Sequence, residues 1–116
     1  MQPEPDVVIS GVRDLLYQMG ITANYAGFFH TSYAAWLVVE EPQRLRLVTK
    51  TLYPQVALHY GTNWRCVERN IRTAVQIAWD RNRPLLENLA RRPLVNRPSA
   101  SLFLAILTSP FPMGPV

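Results

Sequence analysis

One amphipathic stretch, residues 63–83, does most to limit what this chain can fold into. At helical spacing, its apolar residues fall on one face: Val67, Ile71, Ala74, Val75 and Ala78. The opposite face carries Arg65, Glu68, Arg69, Arg72, Thr73 and Gln76. The sequence therefore predicts a long helix that enters a core on one side and presents a row of guanidinium groups on the other.

A short helical segment and a glycine precede this stretch. Pro54 fits the first position of a new helix, where its missing N–H costs little, although it is also compatible with a kink in a longer one. Gly61 supplies the positive φ that a sharp exit requires, and Thr62 or Asn63 caps the next helix. Two helices joined by a tight glycine turn, the second one cationic, are typical of a helix-turn-helix, here over residues 54–82.

The rest of the pattern predicts further helices and no strand. Helices are expected over residues 10–19, 25–39, 43–52, 84–90 and, after a cap at Ser99 or Ser101, up to residue 108. Ser10 is the expected cap of the first helix. Residues 1–8 are expected to form a flexible tail and residues 109–116 a proline-rich one. The aromatic residues of the second helix fit a core stripe better than a cofactor site. We therefore expect a single all-α domain.

Positive charge is concentrated around the long helix. The net charge is +4, yet residues 61–100 contain eight arginines against three carboxylates, a local balance of +5. The remaining residues carry four cations against five carboxylates. A basic region on a near-neutral scaffold is expected of a protein that binds a polyanion, whereas solvated surface charge is the alternative interpretation.

Motifs for catalysis, metal binding and secretion are missing from the sequence. It contains no glycine-rich phosphate loop and no nucleophile–base set, and two histidines with the single Cys66 cannot form a zinc site without distant carboxylates. No signal peptide is recognisable, and the apolar run at residues 102–107 is shorter than the roughly 20 residues that cross a bilayer. We expect a cytoplasmic protein that is not an enzyme, carries no cofactor or metal and does not bind membranes.

The geometry of a helix-turn-helix assigns roles to the polar residues, because the N-terminal part of its second helix enters the major groove. The candidate base-contacting residues are Arg65, Glu68, Arg69, Arg72 and Thr73. Arg69 and Arg72 each have the planar fork that grips the O6 and N7 of a guanine. Glu68 either accepts from cytosine N4 or orients a neighbouring arginine. The candidate DNA-backbone contacts are Lys50, Asn63, Gln76, Arg81 and Arg83.

The helix-turn-helix region also resembles a known family. Residues 47–82 read LVTKTLYPQVALHYGTNWRCVERNIRTAVQIAWDRN. They are similar to the C-terminal effector domain of stage zero sporulation protein A, the response regulator that starts sporulation in endospore-forming bacteria. The shared pattern includes the pair Tyr53-Pro54, the residues Val67-Glu68-Arg69 and Ile71-Arg72, and the pair Ala78-Trp79. Fainter similarity covers residues 9–39.

The resemblance implies an all-α bundle of six helices that contains a helix-turn-helix and no wing. It implies binding of short double-stranded DNA boxes, often as a head-to-tail pair, and a contact with the housekeeping sigma factor of RNA polymerase. Glu68, Arg69 and Arg72 match the family's base-contacting residues, whereas Thr73 stands where the sporulation regulator has a histidine. Asn70 replaces a small residue on the packing side. The receiver domain that normally precedes the effector is expected to be absent.

Two hypotheses from different classes follow. The first is a transcriptional regulator that binds double-stranded DNA sequence-specifically. The second is a protein-interaction module that kept the fold and lost DNA binding, with its partner on the aromatic helix at residues 25–39 or on the proline-rich ends. The sequence favours the first hypothesis, because the arginine face coincides with the glycine turn.

Overall fold

The computed structural model describes residues 3–112, and the regular structure in this part of the chain is helical. Its α-helices are α1 (Pro5–Gln18), α2 (Ala26–Glu40), α3 (Val48–Thr51), α4 (Tyr53–Tyr60), α5 (Trp64–Ala90) and α6 (Ala100–Thr108), with a 3₁₀ turn at Pro42–Leu45. The all-α prediction is confirmed. The expected count of six is reached only by including α3, a single turn of four residues, so the bundle is built from the five longer helices.

The centre of the bundle is α2, of whose 15 residues ten are buried, so most of its surface is closed to any partner. One apolar cluster joins it to α1, α5 and α6, and includes Val12, Leu16, Phe28 and Phe103. A second cluster joins α2 to α4, α5 and α6, and includes Tyr53, Val67 and Leu104. The interpretation of the aromatic stripe as core is confirmed, since Phe28 is buried and its aromatic neighbours pack against these clusters.

The N-terminal helix begins earlier than predicted. Helix α1 starts at Pro5, whose fixed φ suits the first turn, and Asp6 adds a carboxylate where the helix dipole favours one. Val8 is fully buried, so burial of an apolar stripe extends the helix upstream. Residues 5–8 therefore belong to the bundle and not to a flexible tail, and Ser10 lies inside the helix instead of capping it. Residues 1 and 2 of that predicted tail lie outside the described part.

The helix predicted over residues 43–52 is also wrong, because the segment breaks into the 3₁₀ turn and α3. Arg44 supplies the reason. Its guanidinium donates to the carbonyl of Leu37 at 2.8 Å and pairs with Glu40 at 2.9 Å, which folds the segment back onto the C-terminus of α2. Leu52 then separates α3 from α4 with φ −122° and ψ −61°, so Pro54 lies in the first turn of a new helix, as predicted.

The C-terminal part has the predicted helices, except that two of them are joined into one. Helix α5 continues to Ala90, but Asn82 has non-helical angles (φ −150°, ψ 55°) and its side chain accepts from the N–H of Leu85 at 3.3 Å. The short helix predicted at residues 84–90 is thus a capped second segment of α5. Ser99, not Ser101, caps α6. Phe111 of the predicted tail packs on the core, whereas residues 113–116 lie outside the described part.

Candidate nucleic-acid interface

The turn between α4 and α5 has the geometry that a helix-turn-helix needs. Gly61 adopts φ +67°, and the N–H of Thr62 donates back to the carbonyl of Ala57 at 2.9 Å, which closes the end of α4. A Cβ at Gly61 would meet nothing within 4 Å, so the left-handed backbone conformation, and not a close neighbour, is what favours glycine here. Asn63 then caps α5 by accepting from the N–H of Cys66 at 3.0 Å.

The inner face of α5 is fixed to α2 by a very close approach. A Cβ built on Gly27 would lie 2.4 Å from the backbone oxygen of Asn70, so only glycine allows the two helices to cross at this distance. Beside the crossing, the amide nitrogen of Asn70 lies 3.4 Å from Nδ1 of His30. Burial lowers the pKa of His30, which favours the neutral ring that accepts this hydrogen bond. Asn70, unexplained by the sequence, is thus a polar link between α5 and the core helix.

The outer face of α5 is the candidate interface, and we call Arg65, Arg69, Arg72, Thr73 and Gln76 the recognition face. The first four of these residues are exposed, whereas the predicted inner face is buried throughout. Residues 61–65, at the start of the helix, are all exposed, so this end stands out from the bundle. From residue 65 to residue 76 the helix rises about 16 Å, which is roughly five base-pair steps.

Contacts within α5 hold the side chains of the recognition face. Glu68, half-buried, pairs with the exposed guanidinium of Arg72 at 3.7 Å. Arg69 extends back to Sγ of Cys66 at 3.6 Å, and the hydroxyl of Thr73 donates to the carbonyl of Arg69 at 3.1 Å. Each contact joins residues three or four positions apart, the spacing that brings helical side chains together. Arg69 and Arg72 therefore each have a partner on the same helix.

The carboxylate of Glu68 also affects the pKa of a buried tyrosine next to it. Tyr53 is buried below Glu68 and Arg72, and together these three residues line a groove beside the recognition face. Burial, assisted by the nearby carboxylate of Glu68, raises the pKa of Tyr53 to about 12, and Arg72 opposes this. The phenol is therefore protonated at neutral pH and adds no charge to the interface.

The recognition face ends at a negative charge. Gln76 is partly buried, and its amide donates to the carboxylate of Asp80 at 2.8 Å. A carboxylate repels phosphate, so a polyanion placed along α5 is expected to leave the helix near this residue. Gln76 therefore lies at the edge of the cationic surface.

The other residues predicted to contact the DNA backbone are distributed around the bundle. Lys50 is exposed on α3, whose Val48 lines the groove beside the recognition face. Asn63 uses its carbonyl oxygen for the cap and keeps its amide nitrogen at the exposed start of α5. Arg81 lies nine residues beyond Arg72, which places it on the opposite side of α5. Its Cδ lies over Gly20.

Arg83 makes internal contacts. Its guanidinium carbon lies 4.3 Å from the ring centre of Trp79, its Nε lies 3.4 Å from a carboxylate oxygen of Glu87, and it donates to the carbonyl of Leu94. These contacts fasten the loop after α5 to the helix. The structure does not bring Arg81 or Arg83 together with the recognition face.

One residue near the interface was not predicted from the sequence. A groove of about 740 Å³ runs beside the recognition face, and its opposite wall is formed by Arg97, Pro98, Ser99, Ala100 and Ser101. Arg97 is exposed and lies in the connection between α5 and α6. In the sequence, Arg97 was recognisable only as one of the arginines of the basic region. Its closeness to α5 could not be predicted, because it depends on how α6 packs.

Two properties of the described residues bear on other functions. Between residues 3 and 112, no group of three or more histidine, cysteine, aspartate or glutamate side chains is arranged to hold a metal ion. None of the helices in this part combines the length and the apolarity needed to cross a membrane.

A comparison with protein families agrees with this geometry. The family model described as "Sporulation initiation factor Spo0A C terminal" matches residues 12–110, more than four fifths of the chain and all of the helix-turn-helix. The resemblance drawn from residues 47–82 is confirmed, and the match extends it from α1 to the end of α6. The chain belongs to the family of C-terminal, helical, DNA-binding domains of the sporulation initiation factor Spo0A.

Proposed function

We propose that this chain binds double-stranded DNA sequence-specifically and regulates transcription, with α5 inserted into the major groove. The observation that carries the proposal is the division of α5 into two faces. Its inner face is buried and locked to α2 at Gly27, whereas its outer face carries three exposed guanidinium groups in the first third of the helix. A rigidly held cationic helix that stands out from the bundle has the shape and charge that a DNA groove accepts.

Arg69 and Arg72 are the proposed guanine contacts, since each presents a planar fork to the O6 and N7 of a guanine. Arg65, one turn nearer the N-terminus, extends the contact to the next bases or to a phosphate. Glu68 has the role of orienting Arg72, because it already lies 3.7 Å from that guanidinium. Acceptance from cytosine N4, the alternative for Glu68, would require breaking this pair.

The proposed phosphate contacts flank the recognition face. Arg97, before α6, lines the groove beside the face, and Asn63 and Gln76 mark the two ends of the face. Lys50 is exposed on α3 but lines a separate groove with Arg44 and Arg46, so it reaches only a phosphate farther along the DNA. We leave Arg81 and Arg83 out of the proposed interface. Arg81 lies on the opposite side of α5 from Arg72, over Gly20, and Arg83 is held by Trp79, Glu87 and Leu94. A sigma-factor contact and pairing on tandem boxes stay predictions.

The test begins with selection of bound duplexes from random DNA, followed by affinity measurements on the selected box across a salt series. Four neutralised phosphates would give a slope of about −3.6 in log K against log salt, an affinity loss of about 150-fold between 50 and 200 mM. Binding that is absent, or equal for all sequences, would refute the proposal. A protein inert toward DNA that retained a stable protein partner would instead support the interaction-module hypothesis.

Matched variants separate base contacts from general charge. Arg69→Ala and Arg72→Ala each remove one positive charge from the recognition face, and Arg81→Ala removes one from the far side of the same helix. We expect the first two to weaken discrimination at one base position by about 1–3 kcal/mol. Arg81→Ala should leave the selected sequence unchanged. An equal effect of all three variants would mean that α5 contributes charge only.

A further inference from the structure

We infer that Thr73 contacts the C5-methyl group of a thymine and disfavours guanine at that position of the DNA box. The inference rests on the proposed function, because it names the base that one residue of the recognition face selects. Its basis is the hydrogen bond of the Thr73 hydroxyl, which leaves the side chain with no proton to donate to a base.

The hydroxyl proton of Thr73 is already used inside α5. Oγ1 donates to the backbone carbonyl of Arg69 at 3.1 Å, and a hydroxyl has only this one proton to give. Since the oxygen faces the backbone of its own helix and the residue is exposed, the γ-methyl group is the part left for an approaching surface. Thr73 therefore meets the groove with a methyl group and without a free donor.

The edges of the four bases respond differently to such a group. Guanine presents two acceptors, N7 and O6, in the major groove, and both would lose water without gaining a donor from Thr73. Thymine presents a methyl group, whose contact with the threonine methyl removes apolar surface from water. Adenine and cytosine each present an amino donor that a remaining lone pair of Oγ1 could accept, so these two bases are the competing outcomes, and neither would give the thymine-methyl effect measured below.

The spacing along α5 says where this thymine should lie. Thr73 is one turn beyond Arg69 and next to Arg72, so its side chain is displaced from that of Arg69 by about 6 Å along the axis. This distance corresponds to roughly two base-pair steps. We expect the thymine within about two base pairs of a guanine gripped by Arg69 or Arg72.

The test uses the DNA box selected by the wild-type chain and replaces its thymines one at a time by deoxyuridine. Deoxyuridine lacks only the C5-methyl group and pairs in the same way. Fluorescence anisotropy then gives the Kd of each duplex. One position should weaken binding about fourfold, the effect expected for one buried methyl group.

Two variants assign that position to Thr73. Thr73→Val keeps the methyl group and removes the hydroxyl, so it should keep the same sensitivity to deoxyuridine. Thr73→Ser keeps the hydroxyl and removes the methyl group, so it should bind the thymine and uracil boxes equally. Since residue 73 is exposed, both variants are expected to fold.

Three results would overturn the inference: a wild-type chain indifferent to every deoxyuridine, a serine variant with undiminished sensitivity, or an undiminished affinity when a guanine replaces the thymine at the position assigned to Thr73. Sequence-specific binding combined with any of these would leave the proposed function standing. Failure to bind any duplex would overturn both.

Discussion

Replacement of Gly27 by alanine tests whether α5 is held at a fixed distance from α2. The added Cβ would lie 2.4 Å from the backbone oxygen of Asn70, whereas carbon–oxygen contacts are normally about 3.3–3.6 Å. The oxygen belongs to the backbone of α5 and cannot rotate away as a side chain would. The two helices must therefore separate by about 1 Å.

The expected cost follows from this separation. Overpacking of a filled core costs about 1–3 kcal/mol, and the better helix propensity of alanine returns at most about 1 kcal/mol. Gly27→Ala should thus lower the free energy of unfolding by about 1–2 kcal/mol. For a chain of this size that corresponds to a Tm lower by about 4–8 °C.

The matched control is Gly11→Ala. Its added Cβ would lie 2.6 Å from Cζ of Phe111, the far end of a side chain near the end of the described chain, which can move aside. Thermal denaturation should find Gly11→Ala as stable as the wild type or more stable. Affinity for the selected DNA box should fall in Gly27→Ala only. If Gly27→Ala melts at or above the wild-type temperature, the idea of a fixed distance between α5 and α2 is wrong.

Three further predictions concern groups around α5. Asn70→Ala removes the partner of His30 and should lower the free energy of unfolding in urea by about 1–2 kcal/mol. Because burial lowers the pKa of His30, the unfolded chain binds more protons below about pH 6.5, so stability should fall as the solution is acidified through that pH. His30→Gln should flatten that part of the curve of stability against pH, and an unchanged slope would mean that another group causes the pH dependence. Arg83→Ala should destabilise the fold by about 1 kcal/mol through loss of the Trp79 and Leu94 contacts while sparing DNA affinity, and the opposite pattern would return Arg83 to the interface.

The elements that the sequence predicted well are those governed by local rules. The inner face of α5 was predicted residue by residue, because an apolar period of 3.6 sustained over many turns is characteristic of a helix with one buried face. Gly61 was found as the turn because a left-handed residue after a helix is usually glycine. The start of α1 was missed because Ser10 resembles a cap, and only the burial of Val8 shows that the helix continues upstream.

The elements that the sequence missed depend on contacts between distant parts of the chain. The break at residues 42–51 comes from Arg44 reaching the carbonyl of Leu37, which no helical pattern encodes. The role of Asn70 required its neighbour His30, which lies 40 positions earlier. Arg97 reaches the groove only because α6 packs beside α5. In each case the missing information was the packing of one helix on another.

The contacts of the recognition face have a consequence for engineering. The pairs Arg72–Glu68, Thr73–Arg69, Arg69–Cys66 and Gln76–Asp80 each join two residues of the same helix. The exposed members of these pairs can therefore be exchanged without contact with the buried face that anchors α5, whereas Glu68 and Gln76, which are partly buried, are best kept. Under the proposed function, the domain is a scaffold for grafting, in which a foreign set of exposed residues is expected to change the selected DNA box.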